Sequence, residues 1–172
     1  MDIYAITTSV NYADYLAISL NCLAGQVTGV CVVTEQNDAS IAVAEKAEAT
    51  ALIYDGWHAD GAAFNKAGAI RFAQEHLHAA YPEAWYLLID SDVMVPTNAR
   101  EIIEQDATNP ETLYGARRVD FHSPERLADG KPNKAYASMF AGFFQLYRRH
   151  VLYPEWSRTA ELCDLSFARQ FA

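Results

Sequence analysis

The sequence predicts an α/β protein built on a mostly parallel central sheet with helices on both faces. Two observations carry this. Short apolar runs alternate with segments of helical spacing through the first 106 residues, in the order β-α-β-α-β-α-β. Each run also ends abruptly in polar or acidic residues, and the clearest is Trp85-Tyr86-Leu87-Leu88-Ile89 followed by Asp90-Ser91-Asp92. A run that short, apolar on both alternating faces, reads as a central strand covered from both sides.

Taken in order, Asp2 to Thr7 is the first strand, followed by the polar turn Thr7-Thr8-Ser9. Tyr12, Leu16, Leu20 and Leu23 fall at helical spacing, and Gly25 ends that helix. Val30 to Thr34 is a second strand, closing in Glu35, Asn37 and Asp38, and an alanine-rich helix covers Ala39 to Ala49. A third strand, Leu52 to Tyr54, breaks into a loop with Gly56 and Gly61. The next helix runs from Ala62 to Ala79, with Ile70, Ala73 and Leu77 on one face, and leads to the Asp90/Asp92 strand. Ala99 to Gln105 is helical. Beyond it the pattern changes: a strand over Leu113 to Val119, a polar loop over Asp120 to Asn133, an aromatic-rich strand region over Ala135 to Tyr147, and a closing helix over Thr159 to Phe171 with Thr159 as its N-cap. No linker is visible. The expectation is a single domain over 1–172, with a nucleotide-binding-type first half (1–106) and an acceptor-type second half (107–172).

The chain has 172 residues, 51% hydrophobic, with a net charge of −9. That balance argues against nucleic acid and against an anionic membrane surface as partners, since no basic excess exists to release counterions. The three cysteines, Cys22, Cys31 and Cys163, are scattered with no CxxC pair, which reads as reduced thiols in a cytoplasmic protein. No uncharged apolar run approaches the roughly 18 residues of a membrane span.

The chemistry is read from the strand ends. Side chains at i and i+2 of a strand point the same way, so Asp90 and Asp92 project together if the extended conformation persists past Ile89. Two hard oxygen ligands so close call for a cation, and Mg²⁺ or Mn²⁺ shared with a diphosphate is the natural occupant.

These residues resemble the GT-A fold glycosyltransferases, close in style to family 2. The resemblance rests on Asp90-Ser91-Asp92 as the DxD motif, on Asn65-Lys66-Ala67-Gly68-Ala69 in the helix before it, on Gly142-Phe143-Phe144-Gln145-Leu146, and on Asp164-Leu165-Ser166-Phe167-Ala168-Arg169. It implies a metal-dependent, hexosyltransferase-like enzyme using a nucleotide-diphosphate sugar, a UDP-sugar and inversion being favoured, with retention, the acceptor and a homodimer left open. By that resemblance Asp92 ligates the metal directly and Asp90 reaches the metal or the ribose. Thr7, Thr8 and Glu35 border the base and ribose pocket, Asn65 and Lys66 reach base or phosphates, and Asp164 is the general base that deprotonates the acceptor. Cys163 stands where the family commonly has an acid, and Glu35 lacks the usual acidic neighbour. Trp57 and Trp156 are candidates for stacking on a sugar or base, and His58, His122 or His150 for completing a metal shell. Two alternatives stand beside this reading: a haloacid-dehalogenase-type phosphatase using Asp90 as nucleophile and Asp92 as acid/base, and a nucleotide-sugar-binding module without catalysis.

Overall fold

The computed structural model describes residues 1–121, 126, 134–136, 143–160 and 163–171. Its main sheet contains β1 (Ile3–Thr8), β2 (Gly29–Thr34), β3 (Thr50–Ile53), β4 (Trp85–Ile89), β5 (Tyr114–Gly115) and β8 (Phe144–Tyr147) in the order β3-β2-β1-β4-β8-β5. The first four strands are parallel; β8 runs antiparallel to both β4 and β5. A separate antiparallel pair joins β6 (Arg118–Asp120) to β7 (Lys134–Tyr136).

Helices cover both faces. On one face α1 (Ala13–Leu23), α2 (Ser40–Lys46) and α4 (Ala99–Asp106) pack Leu16, Leu20, Leu23, Ala44 and Ile103 against Ile3, Ala5, Val32, Trp85, Leu87 and Ile89. On the other, α3 (Lys66–Ala80) and α5 (Cys163–Ala168) bring Ala67, Ile70, Ala73, Leu77 and Phe167 onto Ile6, Val33, Tyr86, Leu88 and Tyr147. Every residue of β4 is buried, as its unbroken apolar run requires. Gly25 takes φ +73° just after α1, the left-handed conformation that lets the chain leave the helix.

Four elements differ from the sequence expectation. The helix expected from Ala62 begins at Lys66, because Asn65 caps it: its Oδ1 accepts from Gly68 N at 3.1 Å. The alanine-rich helix α2 stops at Lys46, and Glu48 follows at φ +57°. The strand expected over Leu113 to Val119 is two, with β5 in the main sheet and β6 in the small one. The closing helix is described only from Cys163, so a Thr159 cap adjoins residues outside the description, and His122 and Gly142 lie outside the described residues.

Order fixes the position of a site. β2 and β3 lie to one side of β1 while β4 lies to the other, so the connections diverge between β1 and β4. Ligands of open α/β sheets bind outside the strands' carboxyl ends at such a divergence. Thr8 closes β1 there, and Asp90 follows β4.

Candidate active site

Asp90 leaves the end of β4 with its backbone N–H on Phe143 O at 3.4 Å, continuing the ladder to the β8 side. The extended conformation stops there. Val93 N returns to Asp90 O at 3.1 Å, closing a turn that carries Ser91 inward and leaves Asp92 exposed. The condition for an i, i+2 pair on one face is therefore not met. The two carboxyl groups nevertheless remain close enough for Asp92 to raise Asp90.

Lys66 is the first residue of α3, and its buried side chain crosses to the strand end. Its Nζ lies 2.7 Å from Asp90 Oδ1 and 3.9 Å from Asp164 Oδ1. Asp164 comes from α5, near the end of the chain. Three residues singled out in the sequence thus meet, from three separate elements.

The meeting depends on how the chain segment before α5 is fastened to α3. Asn65 Oδ1, besides capping the helix, accepts from Ser157 N at 2.9 Å. Ser157 Oγ accepts from Ala67 N at 3.1 Å, and Arg158 O accepts from Ala63 N at 2.9 Å. Two turns along α3, the buried amide of Gln74 accepts from Tyr153 N at 2.7 Å and donates to Tyr147 Oη at 2.6 Å and Val151 O at 3.2 Å. Tyr153 stacks on Phe167 with ring centres 4.5 Å apart. Its hydroxyl reaches Gln145 Oε1 at 2.6 Å and Asp164 Oδ1 at 2.9 Å, and its one proton serves one acceptor at a time.

Charge is out of balance here. Among the described residues, Asp90 and Asp164 face the one Lys66 ammonium, with Asp92 beside Asp90. Burial alone would lower Lys66, but the Asp90 and Asp164 carboxylates outweigh it and hold the ammonium above its ordinary value. Burial raises Asp90 despite Lys66, and Asp164 and Asp92 add to that rise. Lys66 is thus held charged, yet it does not offset the burial and the neighbouring carboxylates that raise Asp90. Asp90 keeps 34% of its side chain exposed, so a ligand can approach it. Cys163 is pushed up to about 12 by burial and then by Asp164, which leaves it an unreactive thiol.

The other candidates divide. Thr8 shares the α3 face of the sheet with Ile6, while Thr7 points to the opposite face, is 2% exposed and has a hydroxyl without a hydrogen-bond partner among the described residues. Thr7 is therefore remote from the Lys66 side. Asn65 is occupied by structure: its Nδ2 faces Tyr54 Oη at 3.2 Å and Gly56 O at 3.4 Å, which leaves little for a ligand. Glu35 lines a cleft of about 480 Å³ at the carboxyl ends of β2 and β3, together with Gln36, Tyr54, Asp55, Trp57, His58 and Ala59. Trp57 is 3% exposed, stacked on Phe64 at 4.8 Å, so it supports the cleft from behind; Trp156 is exposed, with Nε1 on Ala59 O at 3.1 Å. His150 is exposed and stacks on His78 at 4.7 Å, its Nε2 facing Pro82 O at 2.7 Å. It has no part in the carboxylate cluster.

Tyr153, Gln145 and Gln74 were not among the expected site residues. Gln145 carried a readable signal: an amide in the otherwise apolar run Phe143 to Tyr147 has to find partners once buried.

No family model matches this chain, and no curated protein does. A solved structure does: the crystal structure of 4-diphosphocytidyl-2C-methyl-D-erythritol synthase, at 14% identity and a TM-score of 0.50, over 85% of this chain and 72% of that one. The fold is of the GT-A type. Among the described residues, no helix is long and apolar enough to cross a membrane, and no group of three or more histidine, cysteine or acidic side chains is already arranged as a metal cage.

Whether a divalent cation suits the site is decided by its donors. Asp90 and Asp164 converge on the Lys66 ammonium, a stand-in that marks where positive charge is favoured. The oxygens are hard and carboxylate, the set that Mg²⁺ and Mn²⁺ take.

Proposed function

We propose that this protein is a metal-dependent transferase acting on a nucleotide-linked substrate, with glycosyl transfer from a nucleotide-diphosphate sugar as its reaction. The observation that carries the reading is the convergence of Asp90 and Asp164 on Lys66 beside the divergence of the sheet. In this reading Asp90 and Asp92 hold Mn²⁺ or Mg²⁺, which when bound neutralises charge growing on the departing diphosphate. Asp164 takes the proton of the acceptor hydroxyl, whose oxygen attacks the anomeric carbon as the bond to phosphate breaks. Tyr153 orients Asp164 from behind. The cleft at Glu35 takes the nucleobase, with Tyr54 as an apolar wall and Glu35 and Asp55 as acceptors for base N–H groups.

A second reading comes from the matched structure, whose name describes the making of a diphosphocytidyl compound. Nucleotidyl transfer expels pyrophosphate and needs cationic groups around a triphosphate. The β1–α1 connection, Ser9-Val10-Asn11-Tyr12, offers neither lysine nor arginine, which favours glycosyl transfer.

Melting the wild type and Asp92→Ala with UDP, CDP, GDP and ADP, and with CTP, each with Mn²⁺ or with EDTA, tests this. A ligand at about 100 times its Kd stabilises by roughly 2.7 kcal/mol. A metal-dependent rise with one diphosphate, lost in Asp92→Ala, is the expected result and names the base. A rise with CTP alone would move the reading to cytidylyl transfer. No rise with any nucleotide would overturn both.

A further inference from the structure

We infer that Lys66 is a built-in counter-cation of this site: its ammonium holds Asp90 and Asp164 while no divalent ion is bound, and it competes with such an ion for Asp90. The inference rests on the cation site of the preceding section and goes beyond it, to the competition for that site.

The position of Lys66 is the first argument. It occupies the first turn of α3, the positive end of the helix dipole, where a cation is disfavoured and an anion preferred. Its side chain is only 10% exposed, so water does little to relieve the charge. The helix gains nothing from a lysine there; Asn65 already supplies the cap. What compensates the ammonium is Asp90 at 2.7 Å and Asp164 at 3.9 Å. Asp90 is also a carboxylate that a divalent ion would use. An ammonium and a metal ion drawn to one carboxylate repel each other, so each weakens the other.

The second argument is the lysine's reach. An ammonium on a flexible four-carbon stem is a point charge that can swing away, which a rigid guanidinium fork cannot do as readily. Asp90, with a third of its side chain exposed, is open to an incoming ion.

The test is Mn²⁺ binding to the full chain, followed by the paramagnetic resonance signal of the free ion, for wild type, Lys66→Gln and Lys66→Met. Lys66→Gln keeps a donor toward Asp90 without the charge, so it guards against loss of folding in the methionine variant. Both variants are expected to bind Mn²⁺ at least tenfold more tightly than the wild type, and Asp90→Asn added to Lys66→Gln should abolish the gain. Equal or weaker binding by the variants, with Mn²⁺ still taken up by the wild type, would overturn the counter-cation and leave the metal site standing. If neither wild type nor variants take up Mn²⁺, even with UDP or CDP present, the metal-dependent reading itself falls, and the counter-cation with it. A measurement on the unaltered protein decides independently: reductive methylation of Lys66, read by mass spectrometry, should be slow without metal and accelerate on Mn²⁺ binding. A rate that Mn²⁺ leaves unchanged while it is bound would sink the inference.

Discussion

At its first turn α3 sets the Lys66 ammonium against Asp90 and Asp164; at its last turn it sets His78 against Tyr86, ring centres 4.3 Å apart, with His150 stacked outside. Both ends place a titratable side chain against β4 and the segment after β8. They resolve the charge differently. His78 is held neutral, pushed down to about 4 by burial and then by His150, and its Nε2 has no partner among the described residues. Lys66 stays charged and outnumbered. Neutralisation is the economical course for a group buried only for packing, since buried ion pairs recover little of their desolvation cost. The end that keeps uncompensated negative charge, at the strands' carboxyl edge, is the one with a reason to meet a ligand.

The sharpest way to break this comparison is at Asp164. Asp164→Asn keeps an acceptor for Tyr153 and removes the base. With the nucleotide sugar selected by melting, turnover should fall by about 10²- to 10⁴-fold while the melting temperature stays near the wild type's. Turnover unchanged within a factor of two or so would remove Asp164 from the chemistry.

Next in size is the fastening between α3 and the returning chain. Gln74→Leu leaves Tyr153 N–H, Tyr147 Oη and Val151 O short of a buried partner. Unfolding in urea should show a loss of about 3 kcal/mol. A variant as stable as the wild type would mean that this amide does not hold the two segments together.

Gly68→Ala probes the same seam more gently. A Cβ at position 68 would run into the Tyr54 hydroxyl, stand 2.6 Å from Asn65 Nδ2 and meet the Glu155 carbonyl oxygen at 2.8 Å. The last is backbone and cannot swing aside. The expected cost is about 2 kcal/mol, against the gain of about 1 kcal/mol that alanine brings to an open helix position. Stabilisation would show that the seam is loose.

Much of this was legible beforehand, for reasons that can be stated. β4 and the first halves of the βα units announce themselves because burial on both faces demands uninterrupted apolar residues, and Asp90 stands out against such a run. What failed was anything set by distant partners. Asn65 reads as a polar ligand residue, yet the cap to Gly68 and the bond from Ser157, 92 residues on, use its oxygen. The cap was readable from Asn followed by a helical run; the Ser157 bond was not. Trp57 lies in a loop with two glycines and reads as a stacking surface for a sugar or base, but Phe64 and Tyr54 close around it. Asp92 depends on a turn whose closing hydrogen bond, Val93 N to Asp90 O, overrides the alternation of the strand.

The smallest effect belongs to the histidine end. The unfolded chain protonates His78 near its ordinary 6.5, the folded chain only at about 4. Between those values the unfolded state binds more protons, so stability present above pH 6.5 declines as the pH falls and the loss is complete below about 4. His78 is partly exposed, and solvent screening reduces the loss to about 2 kcal/mol at most. His78→Phe keeps a ring against Tyr86 and forfeits no bond at Nε2. Comparing urea midpoints at about pH 7 and about pH 4.5, the wild type should lose more stability than the variant. Carboxylates also contribute to acid lability: Asp38 is lowered, its carboxylate holding Asn11 N–H and Ser40 despite the opposing pull of burial. Their share is common to both proteins, so the difference between them isolates His78. Equal losses would assign the whole effect to such carboxylates, and the two ends of α3 would no longer differ in how they handle charge.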